Sequence, residues 1–347
     1  MLPSIPPMVE GRSLRRPNEW PSCSICTGRS LNPWYRPSVP HERAEPRKCG
    51  AQENGDQVTS AYPCPCGIEP DEGICHVPSE EDGLPVRCVG GWSCNKHFYI
   101  ERYIGIFHTG MSRKWPDINY IDLFAGPGKC RIRKTREITD GSPMIASQFG
   151  FTGYHLVDMN PDAVEALQKR FPHGGRAKFY PVDCNACADE IGSRLSASAL
   201  SLLVADQTAV QLKFETLRLL TEGKRVDMII YLPTGVYFNR AIPTVKDEEK
   251  IKSINDFFGD RGEGMEIWRT SPPTTRNNAL VAYYKDRLKT IGYQFDAKVD
   301  RDIVIANEEN NVELYRLILA SKHVLGSQFW RKIQQVDPKG QRELPFS

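Results

Sequence analysis

The 347-residue chain has no run of about 20 consecutive apolar residues, so no membrane-spanning helix and no membrane partner are expected from it. Its opening, "MLPSIPPMVEGRSLRR", has prolines where a secretory leader would have its apolar segment, which points to a cytoplasmic protein. It also lacks a charge excess. With 45 Lys and Arg against 43 Asp and Glu the formal net charge is +2, which excludes a strong global field for nucleic acid or lipid and leaves only local patches. Two phosphate-binding signatures are missing as well. No G-x-x-x-x-G-K-[ST] loop occurs, and the one glycine-rich loop, Gly126-Pro127-Gly128-Lys129-Cys130-Arg131, lacks the third glycine of G-x-G-x-x-G, which disfavours a nicotinamide-dependent oxidoreductase. There is no internal repeat.

What is present divides near residue 92. Of the 11 cysteines and 26 prolines, 8 and 14 fall in the first 100 residues, and neither helical nor strand periodicity is visible there. Residues 1–91 therefore either fold around something other than an apolar core, stay without one, or precede the real start of the domain. Cys23-Ser24-Ile25-Cys26 has zinc-knuckle spacing, and Cys64 and Cys66 extend the candidate ligand set for a structural zinc, although no second C-x-x-C sits at a standard distance. From residue 92 the pattern is regular. A helix is expected over "GWSCNKHFYIERYIGIF", with Phe98, Ile100, Tyr103, Ile104 and Phe107 on its apolar face. Strand-like segments "INYIDLF", "GYHLVD", "AKFYPVD", "LSLLVAD" and "VDMIIYL" then alternate with helical ones, which means a parallel sheet covered on both faces. "GYQFDAKVDRDIVIA" and "NVELYRLILAS" read as a closing antiparallel pair. Residues 92–335 form this domain, and 336–347 a tail.

Four of the first five strands stop at or beside an aspartate: Asp122, Asp158, Asp183 and Asp206. The carboxyl ends of strands in an open parallel sheet make the ligand crevice, so these acids converge on one edge, and a row of carboxylates wants hydroxyls, amines or a cation to hold. Gly126 and Gly128 allow positive φ and close backbone approach to a ligand. A ribose and a cationic centre without phosphate suit this set, and S-adenosylmethionine has those features.

Taken together, "WSCNKHFYIERYI", "YIDLFAGPGKC", "DGSPMIA", "HLVDMNPDAVEAL", "VDCNA", "VDMIIYLPTGVYFNR" and "LASKHVLGSQFWRKI", over about residues 92–333, resemble the three-Cys-motif partner proteins. The resemblance implies an α/β, doubly wound, mostly parallel seven-stranded sheet of the Rossmann-like, class I S-adenosylmethionine-dependent methyltransferase type. It also implies a protein partner, a three-Cys-motif protein, which carries the cysteines of the family's name. Asp122, Gly126 and Gly128 would line the methionine end of the cofactor, Asp158 would bind the ribose, and Asp183 with Cys184 would border the adenine. Lys96 and His97 match the family's opening helix. Asp206 would lie nearest the methyl group. Related sequences read Asp-Pro-Phe-Gly there, where this chain has Asp206-Gln207-Thr208-Ala209, without the stiff proline and the stacking surface. Methyl transfer to an unidentified acceptor, and a catalytically degenerate binding partner that keeps the fold, both remain open.

Three further signals sit beside this edge. Lys129, Arg131, Arg133, Lys134 and Arg136 crowd one loop, where Arg131 and Arg133 could meet the phosphates of a nucleic acid or merely decorate a solvated lid. Tyr237, Asn239 and Arg240, after the fifth strand, are candidates for positioning a substrate; the alternative is that Tyr237 and Phe238 pack under the loop. The Cys184 and Cys187 pair reads as packing and adenine contact, not as a metal site.

Overall fold

A computed structural model describes residues 73–75, 77–295, 301–307 and 310–338; the candidate zinc ligands Cys23, Cys26, Cys64 and Cys66 lie outside them. Among the described residues ten strands form two sheets: β1 (Arg87–Val89), β2 (Ile118–Asp122), β3 (Lys129–Ile132), β4 (Ile138–Asp140), β5 (Gly153–Val157), β6 (Ala177–Tyr180), β7 (Leu200–Ala205), β8 (Arg225–Leu232), β9 (Ile303–Ala306) and β10 (Glu313–Ala320). The helices are α1 (Trp92–Met111), α2 (Ser142–Ser147), α3 (Pro161–Arg170), α4 (Ala188–Arg194), α5 (Phe214–Thr221), α6 (Asn239–Ala241), α7 (Glu248–Phe258), α8 (Glu263–Thr270), α9 (Arg276–Lys289) and α10 (Val324–Gln334).

The main sheet has the order β6-β5-β2-β7-β8-β10-β9. Its first five members are parallel, and β10 runs antiparallel to both neighbours. Every residue of the central strands β2 and β7 is buried, as expected where helices cover both faces of a parallel sheet. Period-two alternation then sends side chains to two cores. Tyr120, Leu202 and Tyr231 pack with Ile100, Tyr103 and Phe107 of α1 and Trp330 of α10. Ile121, Leu203 and Ile230 face the other way, onto Leu217 of α5, Phe257 of α7 and Tyr284 of α9. There the Phe257 and Tyr284 rings stack with centroids 4.8 Å apart, an arrangement worth about 0.5–1.5 kcal/mol beyond the buried area.

Register places the site. Asp122 pairs with Leu156 on one side and Val204 on the other, so β2, β5 and β7 end level and deliver their following residues to one edge. Asn160 caps α3 through its side chain, which accepts from the Ala163 amide at 3.0 Å, with Pro161 in the first turn. β6 ends at Tyr180, short of Asp183.

The basic segment after the glycine loop is a hairpin, not a loose lid. β3 and β4 pair antiparallel around a turn closed by Arg136 at φ 63°, and β1 adds in parallel beside β3. β1 lies upstream of the expected domain start at residue 92, so residues just before that point belong to the wall of the site. Two buried arginines hold this upstream segment. Arg131 donates to the carbonyls of Val77 and Pro78 at 3.0 and 2.8 Å, and Arg170 donates to Asp82, to the Leu84 and Pro85 carbonyls, and to Pro127 of the glycine loop. The Arg170 guanidinium holds the Asp82 carboxyl down at about 2. No helix among the described residues is long and apolar enough to cross a membrane.

Candidate functional site

The strand ends enclose a cleft of about 480 Å³. Its floor is the glycine loop, where Gly126 and Gly128 sit at φ +59° and +85°, a region L-residues enter only at a cost. A Cβ on Gly128 would meet Leu167 Cδ1 at 2.9 Å and Met144 Cγ at 3.2 Å, so this glycine is required by packing against α3 and α2. The Gly126 amide donates to Asp158 Oδ2 at 2.8 Å, and the Asn160 amide donates to Asp158 Oδ1 at 3.0 Å. Asp158 is only 5% exposed, yet it lines the cleft, and Arg87 Nη2 approaches its Oδ2 at 3.3 Å. Asp183 lies at the cleft's outer wall, exposed, with its Oδ1 accepting from the Asn185 amide at 2.7 Å. Cys184 beside it is buried, and burial first and the Asp183 charge second push its thiol well up, so it lines the wall as a neutral group.

Asp206 lines the same cleft in a setting the sequence did not announce. Lys96 Nζ, from α1, donates to both carboxylate oxygens at 2.7 and 2.8 Å, and it also lies 5.1 Å from the Tyr231 ring and 5.3 Å from the Tyr315 ring. His97, next along the helix, is driven down to about 4 by desolvation and then by the Lys96 ammonium, so it is neutral. The corner after Asp206 is tied from within. Gln207 is fully buried, donates to the Tyr231 carbonyl at 3.3 Å and accepts from the Leu212 amide at 3.1 Å, so it points away from the cleft. Thr208 takes the next cleft position, and the aromatic ring at this end comes from Tyr315 of β10 instead.

Several expected site residues are placed elsewhere. Asp122 is fully buried and outside the cleft lining; it accepts from the Tyr120 hydroxyl at 3.0 Å and the Phe124 amide at 3.2 Å, with Ser142 also bonded to it. Burial raises its pKa to about 6 against these bonds. Arg131 is the buried strut described above, which removes it from substrate contact, whereas Arg133 does line the cleft. Tyr237, Asn239 and Arg240 lie off the cleft wall. Tyr237 is half-buried, Phe238 fills the core, and Asn239 Oδ1 accepts from Trp268 Nε1 at 3.1 Å. Among the described residues no group of His, Cys, Asp and Glu could hold a metal ion.

No family model matches the chain, and no curated protein does. Solved structures are similar to it at low identity. Protein LPL1258 from Legionella pneumophila is 9% identical over 70% of this chain and 90% of that one, with a TM-score of 0.44. A SAM-dependent methyltransferase from Anabaena variabilis is 10% identical over 67% and 94%, at 0.33. The fibrillarin pre-rRNA processing protein of Methanococcus jannaschii is 12% identical over 59% and 66%, also at 0.33. The fold itself is plain: a mostly parallel seven-stranded α/β sheet with one reversed strand.

Proposed function

We propose that this chain is an S-adenosylmethionine-dependent methyltransferase-like protein that binds its cofactor in the cleft along β2, β5 and β7. The observation that carries the reading is Asp158. Its carboxylate, at the end of the strand next to the central one, is bonded to the Gly126 amide of the first crossover loop and lines the same cleft as that loop. A carboxylate so placed accepts from ribose hydroxyls, and Asp183 and Cys184 border the space beyond it for an adenine. The residues fit that group better than they fit a dinucleotide. The glycine loop runs on into strand β3 instead of a long helix, and α2, which follows the hairpin, has only six residues.

When bound, S-adenosylmethionine supplies an electrophilic methyl group on a sulfonium. This chain's residues would orient it. The Asp158 carboxylate fixes the ribose, Gly126 admits the molecule to the backbone, and Asp206 with Lys96 faces the methionine end. Arg133 on the cleft wall and the exposed Lys134 and Arg136 at the hairpin turn support a nucleic-acid acceptor, each phosphate contact adding salt-sensitive affinity. The resemblance of the sequence motifs adds a three-Cys-motif protein as partner.

One observation favours a second reading, binding without turnover. Lys96 bonds to both oxygens of Asp206, so an acceptor amine would have to share the carboxylate with an ammonium. Incubation with methyl-tritiated S-adenosylmethionine and separate RNA, DNA and protein pools distinguishes the two. Label transferred to one pool, and lost in Asp206→Ala, supports the enzyme; cofactor retention on the protein with no label in any pool supports the scaffold.

A further inference from the structure

Arg87 lines the cleft and carries a buried donor that has no acceptor among the described residues. Arg87 Nε is shielded from solvent and has no hydrogen-bond partner among the described residues, although the Nη2 of the same guanidinium reaches Asp158. Its backbone is fixed: β1 pairs in parallel with β3 and sets Arg87 opposite Cys130, on the strand that leaves the glycine loop. The guanidinium therefore lies across that loop, with Nε 3.3 Å from the point where a Cβ on Gly126 would stand. A stranded N–H of this kind is unfavourable, and buried donors are nearly always paired. The bond that does form is long, at 3.3 Å, for a charge-assisted one. The pair is arranged for a third group.

The chemistry of that group follows from its two neighbours. It must donate to a carboxylate that already accepts from Gly126 and Asn160, and it must accept from an arginine N–H. A hydroxyl does both, whereas a carboxylate tail only accepts and would be repelled by Asp158. We propose that Arg87 is a ligand-binding residue of the cleft, which reads a ribose hydroxyl jointly with Asp158: the hydroxyl donates a hydrogen bond to the Asp158 carboxylate and its oxygen accepts one from Arg87 Nε. This rests on the reading of the cleft as a cofactor site and assigns a cofactor contact to the segment upstream of the methyltransferase-like domain.

The test is calorimetric titration of the full chain with S-adenosylhomocysteine and, separately, with methylthioadenosine, which keeps the ribose and lacks the amino-acid carboxylate. Wild type is compared with Arg87→Ala and Arg87→Lys, each checked for wild-type melting behaviour. Loss of about tenfold or more in affinity for both nucleosides in Arg87→Ala supports the proposal. Arg87→Lys is expected to lose affinity too, because an ammonium lacks the fork that spans Asp158 and a ribose oxygen at once. Weakening confined to S-adenosylhomocysteine overturns the ribose assignment in favour of the carboxylate. Unchanged or tighter binding of both overturns it outright, leaving Arg87 a bystander or a plug. Absence of heat from wild type with either ligand removes the cofactor reading, and this inference falls with it.

Discussion

Replacing Lys96 by methionine removes the one cation bonded to Asp206 among the described residues and leaves the carboxylate in a nearly closed wall. The two side chains are 9% and 16% exposed, so solvent screens their pairing only weakly. Breaking such a pair from one side costs about 3–5 kcal/mol, because the remaining charge is buried without compensation. The lost approach to the Tyr231 and Tyr315 rings adds about 0.5–2 kcal/mol. Against a typical total of about 5–15 kcal/mol this is a large fraction. At roughly 2–4 °C per kcal/mol, melting should fall by on the order of 10 °C. Urea unfolding of Lys96→Met at pH 7 measures the loss directly. The double variant Lys96→Met with Asp206→Leu should recover most of it, since well-packed apolar residues substitute for a buried pair at little cost. A single-variant loss below about 1 kcal/mol, the range of an exposed ion pair, would refute the reasoning. So would a double variant no more stable than the single one.

Gly128→Ala should cost about 1–3 kcal/mol in urea unfolding, because it forces φ +85° on an L-residue and drives a methyl into Leu167 and Met144; a change under about 0.5 kcal/mol contradicts the packing account. Arg131→Ala should lose about 1–3 kcal/mol and raise proteolysis near Val77 and Pro78, while folded protein keeps its nucleoside affinity; weaker binding at unchanged stability would return Arg131 to the site. The pH dependence of stability should be altered by Asp122→Asn. Burial lifts folded Asp122 from 3.8 to about 6, so its contribution is full below pH 4 and lost as pH rises through 6. His97 and His155, held down at about 4 by desolvation, act the other way: the unfolded chain takes their protons first, and stability is lost as pH falls from 6.5 toward 4. The opposed effects flatten the wild-type profile. Without Asp122, stability should rise by up to about 3 kcal/mol relative to wild type between pH 4 and 6, and parallel profiles would contradict the assignment.

The sheet was legible in the sequence because continuous apolar runs such as "LSLLVA" leave little choice beyond a buried parallel strand, and because "PDAVEALQKR" carries its own start signal. The convergence of Asp158, Asp183 and Asp206 on one cleft followed from the strand order. What stayed hidden depends on pairings distant in sequence. Asp122 reads like the other strand-end acids, and only the positions of Tyr120, Phe124 and Ser142 show that it is turned into the protein. Arg131 reads as a surface cation, since nothing local reveals the Val77 and Pro78 carbonyls that it serves. Lys96 meets Asp206 across 110 positions, and Arg87 meets Asp158 across 71; no periodicity encodes either contact. The hairpin of β3 and β4 is hidden in the sequence because five cations within eight residues outweigh the inward Cys130 and Ile132.

The central claim is that Asp158 holds the ribose of S-adenosylmethionine at the glycine loop. Calorimetric titration of S-adenosylmethionine into wild type and Asp158→Ala, both with melting curves to verify folding, tests it most directly. The account predicts binding at one site per chain in wild type. In Asp158→Ala it predicts a loss on the order of a hundredfold, the effect of removing hydrogen bonds to a charged acceptor. No heat from wild type, or equal affinity in the two proteins, would contradict it.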